Sequence, residues 1–147
     1  MMTEVKTVGS FEVVDFPDLG VVGVVAKVDT GAFSGTLHAT NIREVTTKDA
    51  VPHLLFCPLG DTDHKAISRT YTVKQIRSSN GQLETRFVID TKIILQGQEY
   101  PVTISLADRS AMMKAVLIGR KFLRRHGFVV DVRKGSQYAY AVKEADL

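Results

Sequence analysis

The residues whose types and spacing could do chemistry are Asp29, Thr30 and Gly31, delivered by the apolar run Val24-Val25-Ala26-Lys27-Val28 and followed by Ala32. A carboxylate at the end of a stiff strand is aimed rather than loose. β-Branched valines favour extended backbone, and the glycine permits a sharp turn. The chemistry open to such a group is hydrolysis of a peptide bond by two carboxylates that share one proton, because like charges that close cannot both ionise. One carboxylate acts as base on a water molecule, and its protonated partner hydrogen-bonds the scissile carbonyl oxygen as negative charge develops there. Such a pair titrates as a unit. Thr30 adds a short hydroxyl able to bond backbone or a partner chain. Asp and Gly are also ordinary turn residues, so the triplet read alone is more simply the close of a hairpin.

The elements that must position these residues follow from periodicity and turn chemistry. Val8 to Phe16 reads as a strand that ends at the turn Pro17-Asp18-Leu19-Gly20, antiparallel to the valine-rich run before Asp29. Leu37 to Val45 and Val51 to Phe56 read as a second strand pair joined across Thr46 to Ala50, with Pro58 to His64 as a loop. Lys65 to Ile76 and Gln82 to Leu95 are long, β-branched runs separated by Arg77-Ser78-Ser79-Asn80-Gly81, and Asn-Gly between such runs signals a hairpin. Gln96 to Glu99 turns the chain into a strand from Tyr100 to Leu106. After the polar stretch Asp108 to Lys114, the apolar Ala115 to Ile118 leads into a helix over Gly119 to His126, with Gly127 as its C-terminal stop. Phe128 to Val132 and Gln137 to Val142 read as closing strands about the turn Arg133 to Ser136. The result is a single domain over residues 1–147, mostly antiparallel β, with one short helix in the C-terminal half.

Composition narrows the classes. At 147 residues, 44% hydrophobic and 24% charged, the chain has enough apolar residues for one core. No stretch reaches the apolar length that spans a bilayer, and Met1 to Ser10 lacks the apolar centre of a signal peptide, so no membrane association and a cytoplasmic location are expected. The single cysteine, Cys57, excludes an intramolecular disulfide framework; it reads as a small hydrophobe within Leu54-Leu55-Phe56-Cys57. A formal charge of +3 is mild. The cluster Arg120-Lys121 with Arg124-Arg125 reads as a solvated helix face, so no nucleic-acid partner is expected.

The order of these parts resembles the retropepsin-type aspartic proteases: a strand, an Asp-Thr-Gly-Ala turn, a hairpin flap, long strands, then an apolar pair, Gly-Arg and a short helix. Leu117-Ile118-Gly119-Arg120, Lys121-Phe122-Leu123 and Gly127-Phe128 carry the last part, and the match spans nearly the whole chain. More narrowly, the sequence resembles the bacterial retropepsin-like group labelled "ATP-dependent zinc proteases", related to proteins found beside ribosomal-protein glutamate ligases. That resemblance rests on Lys27 to Ala32, Leu37-His38-Ala39, Ser78 to Gly81, Arg86 to Ile89 and Leu117 to Arg120. The group usually has a Thr-Ser pair after its Asp-Thr-Gly-Ala turn, whereas this chain has Phe33-Ser34-Gly35-Thr36.

The resemblance implies an all-β, retropepsin-like acid protease barrel and an aspartic endopeptidase acting on a peptide or protein. No second Asp-Thr-Gly occurs in the chain, so the second carboxylate must be Asp29 of another copy in a two-fold homodimer. By the same likeness, Ser79, Asn80 and Gly81 form the tip of a flap that closes over an extended peptide. Read without it, they are an ordinary exposed hairpin. Ile118, Gly119 and Arg120 take supporting roles around the Asp29 loop, and His38 reads either as a support of that loop by hydrogen bonding or as an ordinary strand histidine. The group's label invites a search for ATP and zinc chemistry, and the chain has neither a Gly-x-x-x-x-Gly-Lys-Ser/Thr loop nor His-Glu-x-x-His. His53 and Cys57 share a strand face at ligand-like spacing, but two ligands are too few, so no metal and no cofactor are expected. The alternative to catalysis is a peptide- or protein-binding module that keeps the fold without cleavage. A further possibility is processing of glutamate-modified protein tails, which rests on the association with glutamate ligases.

Overall fold

Alternation of buried and exposed side chains along β-branched runs dictates the architecture. The computed structural model describes residues 5–77, 80–110 and 114–139. Its strands are β1 (Lys6–Gly9), β2 (Phe11–Phe16), β3 (Val21–Val28), β4 (Gly35–Thr46), β5 (Pro52–Pro58), β6 (Ala66–Ser68), β7 (Tyr71–Arg77), β8 (Leu83–Leu95), β9 (Gln98–Ala107) and β10 (Val116–Ile118). Helix α1 (Arg120–His126) and β11 (Phe128–Asp131) follow. Two 3-10 turns, Pro17–Leu19 and Ser136–Tyr138, complete the described elements.

The strands β10, β3, β2, β8, β9 and β4 pair in that order, and β10 also pairs with β4, which closes the sheet into a barrel. This is the retropepsin-like barrel that the resemblance implied. Strands β5 and β6 continue beyond β4, and β7 pairs with β8 off the ring. Strands β1 and β11 form a separate parallel pair. Antiparallel pairing dominates, but β10 runs parallel to β3 and β4 runs parallel to β9. The barrel interior is filled by alternate residues of its strands: Ala26 and Val28, Leu37 and Ala39, Ile89 and Ile93, Val102, Ile104 and Leu106, Val116 and Ile118. Helix α1 buries Phe122 and Leu123 against this core. It ends where expected, at Gly127, whose φ of 72° is the left-handed conformation glycine adopts freely. No described helix is long and apolar enough to cross a membrane.

Three expectations about strand limits are corrected. Val8 to Phe16 is two strands, not one, because the chain changes partners at Ser10. Its N–H donates to the Lys134 carbonyl at 2.8 Å and its carbonyl accepts the Val28 N–H at 2.9 Å. Lys65 to Ile76 also splits: β6 pairs with β5, whereas β7 pairs with β8, and Thr70 between them accepts the Asp90 N–H at 3.1 Å. The expected strand at Gln137 to Val142 is a 3-10 turn in its described part. Gly135 enters that turn at a φ of 82° with its backbone pressed on Phe11. The remainder, from Tyr140, lies outside the described residues.

Ile89 is fully buried where β8 crosses the barrel. Ile89→Ala is expected to lower the free energy of unfolding by about 2–5 kcal/mol, the sum of lost transfer energy and the cavity left behind, read from urea midpoints at fixed protein concentration.

Candidate active site

Strand β3 ends at Val28, and Asp29 then donates its N–H to the Ile118 carbonyl at 2.9 Å, on the closing strand β10. The loop folds tightly from there. Gly31 N–H donates to Asp29 Oδ1 at 3.0 Å, and Ala32 N–H to the Asp29 carbonyl at 3.2 Å. The start of α1 holds the far side: the N–H groups of Arg120 and Lys121 donate to the carbonyls of Ala32 and Phe33 at 2.9 and 3.0 Å. Arg120 also turns its guanidinium back to the Gly31 carbonyl at 3.1 Å. The carboxylate is therefore aimed by backbone bonds on both sides of it. Asp29 is half-buried, and Thr30 and Gly31 are exposed beside it.

Gly119 explains why the loop sits so close. A Cβ there would lie 2.7 Å from the Phe33 carbonyl oxygen, a separation atoms do not tolerate. Gly35 faces the Leu117 carbonyl oxygen at the same distance. Ile118, buried in the barrel, carries the carbonyl that receives Asp29. Ile118, Gly119 and Arg120 thus stand against the Asp29 loop. Phe33 is 53% exposed, and the cations of Arg120 and Lys121 lie 5.4 and 5.9 Å from its ring centre.

Beside the loop lies a polar cleft of about 190 Å³, lined by Ser34, Thr36, Thr103 and Ser105, the cations of Lys74, Arg86 and Lys121, and Val88. No carboxylate lines it. Thr36 and Ser105 are buried and bonded to each other at 3.2 Å, which fixes the floor. Arg86 has a partial partner in Glu84 at 3.5 Å on the adjoining surface. Sequence reasoning missed Lys74 and Lys121 as a set with Arg86. A signal was available, because counting out equally from Asn80 puts Lys74 opposite Arg86, and they are paired in the register of β7 and β8.

The hairpin stands away from the barrel. Pairing of β8 with β9 begins at Phe87, so Leu83 to Arg86 pair with β7 alone. Its tip holds Gly81 at a φ of 85°, and the Arg77 guanidinium donates to the Gly81 carbonyl at 2.8 Å. Asn80 Oδ1 accepts the Gln82 N–H at 3.2 Å. Ser79 lies outside the described residues. At the base, the Tyr71 hydroxyl donates to Glu44 at 2.7 Å. That bond, with burial and the carboxylate charge, pushes the hydroxyl above the ordinary tyrosine pKa.

Among the described residues, no hydrogen bond joins the His38 ring to the Asp29 loop. Its Nδ1 accepts the Arg109 N–H at 2.8 Å, so the segment it supports is the one after β9. Arg109, unremarked in the sequence, is the charge that segment brings in. Burial and then the charge of Arg86 depress its pKa, and the charge of Asp29 opposes them. Among the described residues no three of His, Cys, Asp and Glu converge as metal ligands. His53 Nδ1 faces the Val51 carbonyl at 2.8 Å, and buried Cys57 faces Asn41 Nδ2 at 3.7 Å.

With this geometry in hand, similarity to known proteins becomes informative. The family described as RimB-like, retropepsin-like aspartic endopeptidase RimB, matches residues 7–138. Among curated proteins, a "probable alpha-L-glutamate ligase" of Shewanella halifaxensis is 34% identical over 119 residues, covering 78% of this chain and 26% of the relative. A protein of the same name from Parasynechococcus marenigrum is 34% identical over 125 residues, covering 82% of this chain and 27% of the relative. The chain thus spans about a quarter of the length of the curated relatives it matches. A crystal structure from Legionella pneumophila, of a protein of unknown function, superposes with a TM-score of 0.68 at 26% identity, covering 87% of this chain and 94% of that one.

Because Gly119 admits the loop only by lacking a side chain, Gly119→Ala should push Phe33 and the start of α1 apart. The expected loss is about 1–3 kcal/mol of stability, with amide resonances of residues 29–33 displaced in a 15N correlation spectrum. Unchanged resonances there would contradict the packing argument.

Proposed function

The chain belongs to the RimB-like family of retropepsin-like aspartic endopeptidases, and from that premise we propose that it hydrolyses peptide bonds as a homodimer through paired Asp29 carboxylates. The observation that carries the reading is the Asp29 loop, locked by backbone bonds to β10 and α1 while its carboxylate stays half-open.

In the proposed dimer the two-fold axis passes between the loops, and the two Asp29 groups share one proton. The ionised carboxylate takes a proton from water as the water oxygen bonds to the peptide carbonyl carbon. Its partner gives its proton to the carbonyl oxygen. The tetrahedral adduct then collapses: the C–N bond breaks, the nitrogen leaves with a proton from the pair, and a new carboxyl group forms. Thr30 and Gly31 shape the loop, and the hairpin carrying Asn80 and Gly81 covers the peptide and excludes water. Support for an acidic substrate comes from the cleft of Lys74, Arg86 and Lys121, which has cations and hydroxyls and no acid. The glutamate ligase name of the relatives points the same way. We therefore take the substrate to be a glutamate-containing peptide segment.

Asp29→Asn is expected to lower peptidase activity by roughly 10²–10⁴-fold or more, with the fold and dimer preserved by circular dichroism and sedimentation. Full activity in that variant would end the catalytic reading. Binding without turnover in the wild-type protein, and no inhibition by a statine-type mimic, would leave a peptide-binding module instead. Activity should also fall on dilution below the dimer dissociation constant. For the substrate, Lys74→Glu and Lys121→Glu should each raise KM for a glutamate-rich peptide by roughly 3–10-fold, and added salt should shrink that difference. A neutral peptide cut equally well by all three proteins would remove the acidic preference.

A further inference from the structure

Hydrogen-bond direction decides what the basic cleft can hold, because each hydroxyl carries a single proton and that proton can be followed. The Ser105 hydroxyl donates to the Gly35 carbonyl at 3.0 Å, and a carbonyl only accepts. Its proton is therefore committed. The 3.2 Å bond between Thr36 and Ser105 must then run from the Thr36 hydroxyl to the Ser105 oxygen, which leaves Thr36 nothing further to give. On the wall, the Thr103 hydroxyl donates to Asp90 Oδ1 at 2.6 Å, so its proton is spent as well. Three of the four hydroxyls lining the cleft thus offer lone pairs alone, and Ser34 is the one with its proton uncommitted among the described residues. Strand register holds this pattern in place. Thr36 and Ser105 are partners across the parallel pair of β4 and β9, and both are buried, with 8% and 6% of their surface exposed. Lys74, Arg86 and Lys121 are groups of the opposite kind, since ammonium and guanidinium donate and never accept. Among the described residues, no cation of the cleft donates to these oxygens, and the Lys121 ammonium lies over the Phe33 ring instead.

We propose that the cleft is a two-part site for an acidic residue of a peptide, in which the cations take the side-chain carboxylate and the Thr36 and Ser105 oxygens take the same residue's backbone N–H. The inference rests on the acidic-substrate reading of this cleft and adds to it a requirement for a donor. The two halves come from different elements. Lys74 and Arg86 face each other in the register of the hairpin, whereas the hydroxyls belong to β4 and β9 of the barrel. A carboxylate by itself satisfies the cations and sets lone pairs against lone pairs on the floor. Sulfate and simple dicarboxylates therefore meet half of the site. Filling the cleft displaces water from buried acceptors, and an acceptor left without a donor costs the free energy of its lost hydration. A glutamate or aspartate within a chain brings both groups at once, joined by a short side chain. Gripping the amide together with the carboxylate also fixes the direction of the peptide, which flexible lysines on a carboxylate alone do not.

The experiment changes a single group of the ligand. The full chain carrying Asp29→Asn, which prevents cleavage, is titrated with a capped alanine peptide holding one glutamate, and with the same peptide in which an ester oxygen replaces that glutamate's N–H. Charge and shape are kept, and a donor has become an acceptor. Displacement of the Thr36 and Ser105 amide resonances in a 15N correlation spectrum gives each dissociation constant. The ester is expected to bind roughly 5–30-fold more weakly. With Thr36→Val and Ser105→Ala added, the floor has no acceptor hydroxyl, and the two peptides should bind within about twofold of each other. Equal affinity of amide and ester for the unaltered floor overturns the proposal, whether or not the floor variant folds. An undiminished ratio in a folded floor variant overturns it too. A glutamine peptide, which keeps the N–H and loses the charge, separates the failures. Glutamine bound as tightly as glutamate defeats the acidic reading and this site with it. Glutamine bound weakly while amide and ester bind alike leaves the acidic reading standing and removes the donor requirement alone. Absence of turnover in the wild-type protein, with the ester ratio intact, counts against the peptidase reading and supports the site as a binding cleft.

Discussion

The contact on which the rest depends is backbone against backbone, where Gly119 meets Phe33 and Ser34. Only a residue without a side chain lets the start of α1 approach the loop closely enough for Arg120 and Lys121 to reach the Ala32 and Phe33 carbonyls. Those bonds, with Asp29 N–H on Ile118, fasten the loop to the strand that closes the barrel. Barrel closure and carboxylate orientation are consequently one event. Strand β10 is only Val116–Ile118, yet it pairs with β3 on one side and β4 on the other. A strand that short has little tolerance for a register slip, because a shift by one residue would turn Val116 and Ile118 out of the core.

Against this fixed half, the hairpin is built on other terms. Tyr71 to Arg77 pair with β8 alone, and among the described residues no second strand pairs with Leu83 to Arg86 on the tip side of Phe87. Its residues are largely exposed, so its position rests on its own ladder and on anchors at the base such as Tyr71 to Glu44. A cleft between a rigid floor and a lightly held cover suits a long, extended ligand. The floor here is the buried Thr36 and Ser105 pair, and Lys74 and Arg86 reach in from the hairpin.

Most of the fold was legible because its signals are local and strong. The valine run into Asp29, Asn80-Gly81 between β-branched runs, and Gly127 after a helical period each name their element through short-range physics. The errors fall where one continuous extended stretch changes partner. At Ser10 and Thr70 nothing in residue type marks the switch, since β-propensity describes a pleated surface without saying which neighbour will occupy it. At Gln137 the β-favouring composition yields to a turn entered through left-handed Gly135. The site was legible in the same proportion. Asp29, Gly119 and Arg120 are close in the fold because the loop and the helix start are adjacent elements of the motif. The anchoring of Arg109 was not, because it depends on a hydrogen bond to His38, across 71 residues of chain.

Two-fold symmetry gives the basic cleft a further meaning. In the proposed dimer everything around the Asp29 loop appears twice, so one carboxylate pair is flanked by two copies of Lys74, Arg86 and Lys121. An extended peptide lacks two-fold symmetry, and it meets one copy on the amino side of the scissile bond and the other on the carboxyl side. The site thus asks for acidic residues on both sides at once, which a run of glutamates satisfies in several registers and an isolated glutamate does not. Repetition in a glutamate-rich peptide would match repetition in the proposed dimer.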